Sequence, residues 1–198
     1  MEDTAESLEQ RQDALQAEVR QVESDLRLDS LLEQVGRPVR VGSAALGLMV
    51  WRDLDITVIC AKLDIGPVTK IGATLGSHPR IREVLFRDDT GSWNTDPAYP
   101  DGVYLGIAYR APSGDDWKID IWFVDEPERQ PDLAHLQSIP PALNSENREA
   151  ILRIKTVWST RPEYRRSVTS FDVYTAVIHD GVRTLDQFDE WLTTKPGT

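Results

Sequence analysis

Cysteine is nearly absent: the 198 residues contain one, Cys60. A single cysteine closes no intrachain disulfide and builds no thiolate metal site. It sits in the apolar run ITVIC, where a thiol remote from cations behaves as a small hydrophobe. Histidine is scarce too. His78, His135 and His179 have no second His or Cys at ligand spacing, so a zinc site is not expected. Positive charge is in deficit, 22 Lys and Arg against 33 Asp and Glu, a formal net charge of -11. A general nucleic-acid binder needs a basic footprint to displace counterions, and this chain shows none. No apolar run reaches about 18 residues, so no membrane span is expected. The first residues, MEDTAESLEQ, have neither a basic nor an apolar leader region, so no signal peptide is expected and the cytoplasm is the expected location.

What is present suits a soluble domain with an appendage. Hydrophobic residues make up 40% of the chain and charged residues 28%. Residues 4–35 hold no Pro or Gly, and Leu8, Leu15, Val19, Val22 and Leu26 recur at helical spacing. One or two amphipathic helices packed on the core are the favoured reading. A dimerisation arm is the sharper one, although the repeat is too short for a secure coiled coil. After Gly36 the pattern turns mixed: a strand around Val39–Val41, a Gly-Ser turn, a short helix in AALGLM, and a strand over Asp53–Cys60. A helix over 67–76, a strand over 81–86 and a loop over 88–102 follow. VYLGIAYR (103–110) and WKIDIWFV (117–124), joined by turn residues PSGDD, predict a hairpin. Prolines 127, 131, 140 and 141 mark a linker. Helices are then expected over 145–158, 167–179 and 184–192, each with Ser or Thr near its start. The organisation reads as a helical segment (1–35), an α/β core (36–126), a Pro-rich linker (127–143) and a helical C-terminal part (144–198).

In a strand, alternate residues share a face. Asp53 and Asp55 therefore project together, about 7 Å apart, with Leu54 and Ile56 on the other side. Like charges at the mouth of a core repel unless a cation lies between them. Carboxylates with substrate phosphates suit Mg²⁺. Asp120, alone among apolar neighbours in KIDIWFV, is costly to bury without a partner and is the candidate third carboxylate of a two-metal site. Each aspartate by itself reads equally well as a strand-end or capping residue; the set, with the Gly-Ser turn, reads as a site. Gly42 lets backbone approach a ligand closely. The Ser43 hydroxyl and the amides that follow it can hold phosphate oxygens.

The run VGSAALGLMVWRDLDITV resembles the signature of the nucleotidyltransferase superfamily typified by DNA polymerase beta. There an apolar residue and Gly-Gly or Gly-Ser precede, by about ten residues, an Asp-x-Asp in a strand. Gly47 falls where small antibiotic-modifying members, such as aminoglycoside and lincosamide nucleotidyltransferases, often carry glycine, and Asp120 looks like the third carboxylate. The likeness spans about residues 30–125. Two departures stand out: Arg52, where small members commonly have Ser, and the long N-terminal helix.

The resemblance implies an α+β fold, a mixed sheet flanked by helices. It implies that Asp53, Asp55 and Asp120 bind two Mg²⁺ ions and act catalytically. A nucleoside triphosphate, ATP by expectation, would then give up its NMP to an acceptor hydroxyl and release pyrophosphate. Asp120 is also a candidate for taking the acceptor's proton. Gly42, Ser43, Arg148 and Lys155 are the expected nucleotide-binding residues; the last two lie seven apart on a helix forming one cleft wall, and an ordinary charged helix face is the alternative for both. Tyr174 and Trp158 read better as core aromatics than as base-stacking groups, and RPEYRR (161–166) as an exposed connector. Two readings of function stay open. One is transfer of an NMP to a small hydroxylated molecule such as an antibiotic. The other is a partner of a toxin–antitoxin-type pair that modifies or binds another protein, with the N-terminal helix as docking arm or homodimer contact.

Overall fold

The structure, a computed structural model, describes residues 7–164 and 166–194. Residues 4–6 of the expected first helix, residue 165 of RPEYRR and the chain's last four residues lie outside the described residues. The first helix, α1 (Leu8–Leu26), begins where the Ser7 hydroxyl accepts from the Gln10 N–H and the Gln10 side chain accepts from the Ser7 N–H. This reciprocal pair satisfies two amides that a helix start leaves open. Arg27, at φ 49°, breaks the helix, and α2 (Leu28–Leu32) resumes it.

Next come β1 (Gly36–Val41), α3 (Gly42–Leu46), β2 (Asp53–Cys60), α4 (Ile65–Gly76) and β3 (Ile81–Asp89). The hairpin strands are β4 (Gly102–Arg110) and β5 (Asp116–Val124). The sheet order is β1-β2-β5-β4-β3, with β2 and β5 parallel and the other neighbours antiparallel. Pro38 is tolerated because β1 is an edge strand. The fold is α+β, as the sequence implies. No helix among the described residues is long and apolar enough to cross a membrane.

Two expectations change. The supposed linker holds a helix, α5 (Pro131–Ser138), which lies against α3 and β1. Pro131 occupies its first turn, where the missing N–H costs nothing. Strand β3 runs three residues past 86, because Asp88 and Asp89 still pair with Val103 and Gly102. Charged side chains at an edge do not prevent a backbone ladder. The C-terminal helices are α6 (Ser145–Trp158), α7 (Ser170–Ile178) and α8 (Leu185–Thr194).

Two cores result. In one, α1, α2 and α4 cover a sheet face through Leu15, Val19, Val22, Leu26, Val68 and Ile71, packed with Leu54, Ile56, Ile119 and Ile121. The apolar stripe of α1 is thus buried in its own chain, which removes the support for a dimerisation or docking arm. The other core joins α6–α8 to Leu46, at the end of α3, and to Leu48 and Val50, which follow it. The segment between β1 and β2 therefore belongs to both halves, and the site forms beside it.

Candidate active site

Alternation along β2 sends Leu54, Ile56 and Val58 into the core and Asp53, Asp55 and Thr57 to the opposite face. Along β5, Ile119, Ile121 and Phe123 go inward, while Lys118, Asp120 and Trp122 share the face with the aspartates. Parallel pairing places Asp55 beside Asp120 and Asp53 beside Lys118. One carboxylate oxygen from each of Asp53, Asp55 and Asp120 lies within 4.8 Å of the other two. The three predicted carboxylates therefore converge.

Burial holds the Asp55 carboxyl well above the ordinary carboxylate range; the charges of Asp53, Asp120 and Asp132 push the same way, against Lys118. Asp120 is held from both sides. The Tyr104 hydroxyl donates to its Oδ1 at 2.7 Å, and the Lys118 ammonium sits on its Oδ2. Burial and this bond raise Tyr104 above the usual phenol value, which keeps it a donor. Three carboxylates at this spacing fit a hard cation with oxygen ligands, and such an ion would relieve the repulsion that Asp55 registers.

Gly42 has φ +61°, and a Cβ there would stand 2.4 Å from Asp55 Oδ2. Glycine is needed both for the backbone angle and for clearance of the carboxylate. Ser43 faces the second core. Its Oγ accepts from Lys155 Nζ at 2.6 Å and lies 3.1 Å from the Tyr174 hydroxyl. Lys155, 1% exposed, also donates to the Leu48 carbonyl at 2.7 Å and to the Tyr174 hydroxyl at 3.0 Å. Burial pushes its ammonium pKa down, while Tyr164, Asp53 and Asp55 pull it up. Burial lifts Tyr174 to about 12. Arg148 donates to the Gly47 carbonyl. Gly42, Ser43 and Lys155 thus form one chain of contacts at the edge of the triad, and Arg148 grips the same segment further along. Arg148 and Lys155 of α6 both clamp backbone.

Arg52 is drawn away from the site, with its Nε 2.7 Å from Glu18 on α1. Tyr174 and Trp158 are core aromatics, 4% and 6% exposed, and the Trp158 indole N–H is bonded to Asp189. Cys60 is buried, and its thiol is pushed up to about 11. Sequence reasoning missed Lys118, Tyr104 and Asp132. Lys118 was legible, since it stands two residues before Asp120 on one strand face. Tyr104 required the β4–β5 register, and Asp132 lay in the supposed linker.

No family model matches the chain, and no curated protein matches it. Solved structures do. One, described as a cytoplasmic RNA terminal U-transferase, has TM-score 0.57 and 18% identity, over 83% of this chain and 48% of that one. The poly(U) polymerase Cid1, in a mutant form bound to MgATP, has TM-score 0.59 and 16% identity, over 83% and 50%. The STING-associated c-di-GMP synthase CdnE from Capnocytophaga granulosa has TM-score 0.51 and 13% identity, over 84% and 60%. The chain has the nucleotidyltransferase fold. It spans about half the length of the first two of these proteins. Within that fold the Asp triad is assembled on the open sheet face, positioned for metal.

Proposed function

We propose that this chain is a Mg²⁺-dependent nucleotidyltransferase that moves an NMP from a nucleoside triphosphate to an acceptor hydroxyl. The observation that carries the reading is the convergence of Asp53, Asp55 and Asp120 within 4.8 Å. The acceptor oxygen forms a bond to the α-phosphorus, the bond to the bridging oxygen breaks, and pyrophosphate leaves. When bound, Mg²⁺ lowers the acceptor's pKa and offsets triphosphate charge. Asp53, Asp55 and Asp120 hold it. Tyr104 and Lys118 fix the orientation of Asp120, which receives the acceptor's proton. Gly42 keeps backbone close to Asp55, and Lys155 holds Ser43 and Leu48 in place beside the phosphates.

ATP is the proposed donor, and a small hydroxylated molecule the proposed acceptor. The formal charge of -11 supports a neutral or cationic acceptor over a polyanion. The test is titration calorimetry with ATP, GTP, CTP and UTP, with and without Mg²⁺, on the wild type and on Asp53→Asn/Asp55→Asn. Mg²⁺-dependent binding, strongest for ATP and lost in the variant, is expected. Binding of no nucleotide sinks the reading, and equal binding in the variant removes the triad from it.

A further inference from the structure

Strand β3 ends the sheet, and among the described residues nothing pairs with its outer edge. It is nine residues long and carries exposed apolar groups on both faces, Leu85 at 50% and Phe86 at 40% exposure. An edge of this kind presents a row of free N–H and C=O groups to any other strand. Its sequence is IREVLFRDD.

The order of these residues is self-complementary. When two copies run antiparallel about a two-fold axis through Leu85, Leu85 faces Leu85 and Val84 faces Phe86. Glu83 then faces Arg87, and beyond them Arg82 comes opposite Asp88. From Glu83 to Arg87 every apolar side chain meets an apolar one and every charge its opposite, while at the strand's ends Ile81 comes opposite Asp89. An axis perpendicular to the sheet preserves faces, so the two-fold passes through a residue, and the neighbouring choices fail. Centred on Val84, the pairing sets Glu83 against Leu85 and Arg82 against Phe86. Centred on Phe86, it sets Leu85 against Arg87 and Val84 against Asp88. Centred on Glu83 or Arg87, it puts like charges face to face. Cross-strand pairs are the unit of sheet stability, so a single register is selected. The bulge between Ile81 and Glu83 carries Arg82 out of line and limits the regular ladder to residues 83–87 and their immediate flank. Arg87 is already laid on the open sheet face, 4.8 Å from the Tyr104 ring centre, and Glu83 of β3 is exposed.

We propose that the partner for this edge is a second copy of the chain, joined β3 to β3 in the Leu85-centred register to make one continuous ten-stranded sheet. The interface is isologous, as a two-fold requires. Because faces are preserved, both Asp triads open on the same side of the sheet. Five strand spacings separate one β5 from the other, about 24 Å.

Sedimentation velocity on the full chain between about 1 and 100 μM tests this, since weak interfaces populate in that range. A concentration-dependent dimer is expected. Leu85→Lys, which sets two ammonium groups against each other on the axis, leaves a folded monomer. Glu83→Arg and Arg87→Glu each weaken the dimer about tenfold or more, because two attractive pairs become repulsive. The double swap Glu83→Arg/Arg87→Glu restores it to within about threefold of wild type. As a second line, Leu85→Cys forms an interchain disulfide on mild oxidation, while Cys60 is buried and does not compete. A wild type monomeric at 100 μM, a dimer that survives Leu85→Lys, or a double swap no tighter than its singles overturns the proposal.

Discussion

The protein holds two clusters of charge, one buried and one half-buried, and they are built in opposite ways. Lys155 is saturated. An ammonium has three donors, and Ser43, Leu48 and Tyr174 supply three acceptors at 2.6–3.0 Å. Asp53, Asp55 and Asp120 instead crowd like charges within 4.8 Å, and the raised Asp55 pKa records the cost. A buried charge that is fully bonded stabilises its surroundings, whereas a half-buried excess of one sign favours binding an opposite charge. The lysine therefore holds together the segment shared by both cores, and the aspartates keep an excess of negative charge positioned for a metal ion.

The largest effect expected from breaking this contrast is at Lys155. Lys155→Met removes the donor that three acceptors share and costs about 3 kcal/mol. In a chain of this size the melting temperature falls by about 6–12 °C, equally with and without Mg²⁺, in differential scanning calorimetry. An unchanged melting temperature with lost triphosphate binding would make Lys155 a ligand group first and erase the difference.

A smaller shift of opposite sign is expected at the triad. Without metal, Asp55→Asn relieves repulsion and raises the melting temperature by about 2–4 °C, near 1 kcal/mol. The sign follows from linkage. The folded pKa of Asp55 lies above the unfolded value, so at or below the ordinary carboxylate value both states are protonated and nothing is lost. The penalty grows as pH rises above that value and is complete once pH passes the folded one. Melting curves at pH 4 and pH 8 should show the gain from Asp55→Asn chiefly at pH 8. A gain confined to pH 4, or none at either pH, contradicts the account.

A third change sharpens the comparison at Asp120. Tyr104→Phe removes one hydroxyl that orients this carboxylate, and Mn²⁺ affinity read by electron paramagnetic resonance should weaken about tenfold. Unaltered affinity would mean that Lys118 alone suffices to hold Asp120.

Much of this was legible along the chain. Asp53 and Asp55 share a face because a strand repeats every two residues, and that holds before any tertiary contact. The α1 stripe, the capping residues and the β4–β5 hairpin follow from equally local rules. The helix inside 131–138 was hidden because prolines that end one element also start another. Tyr104 was hidden because nothing local says which residue of β4 stands near Asp120.

The amino-acid order alone thus determined most of the elements, the paired aspartates and the turn that needs glycine at 42, since these depend on dihedral preferences and short periodicities. Only the tertiary structure decided that β2 lies parallel to β5 with Asp55 beside Asp120, and that Lys155 reaches across 112 positions to Ser43. Such contacts arise when two cores close on a shared segment, and packing selects them among many partners that the sequence leaves equivalent.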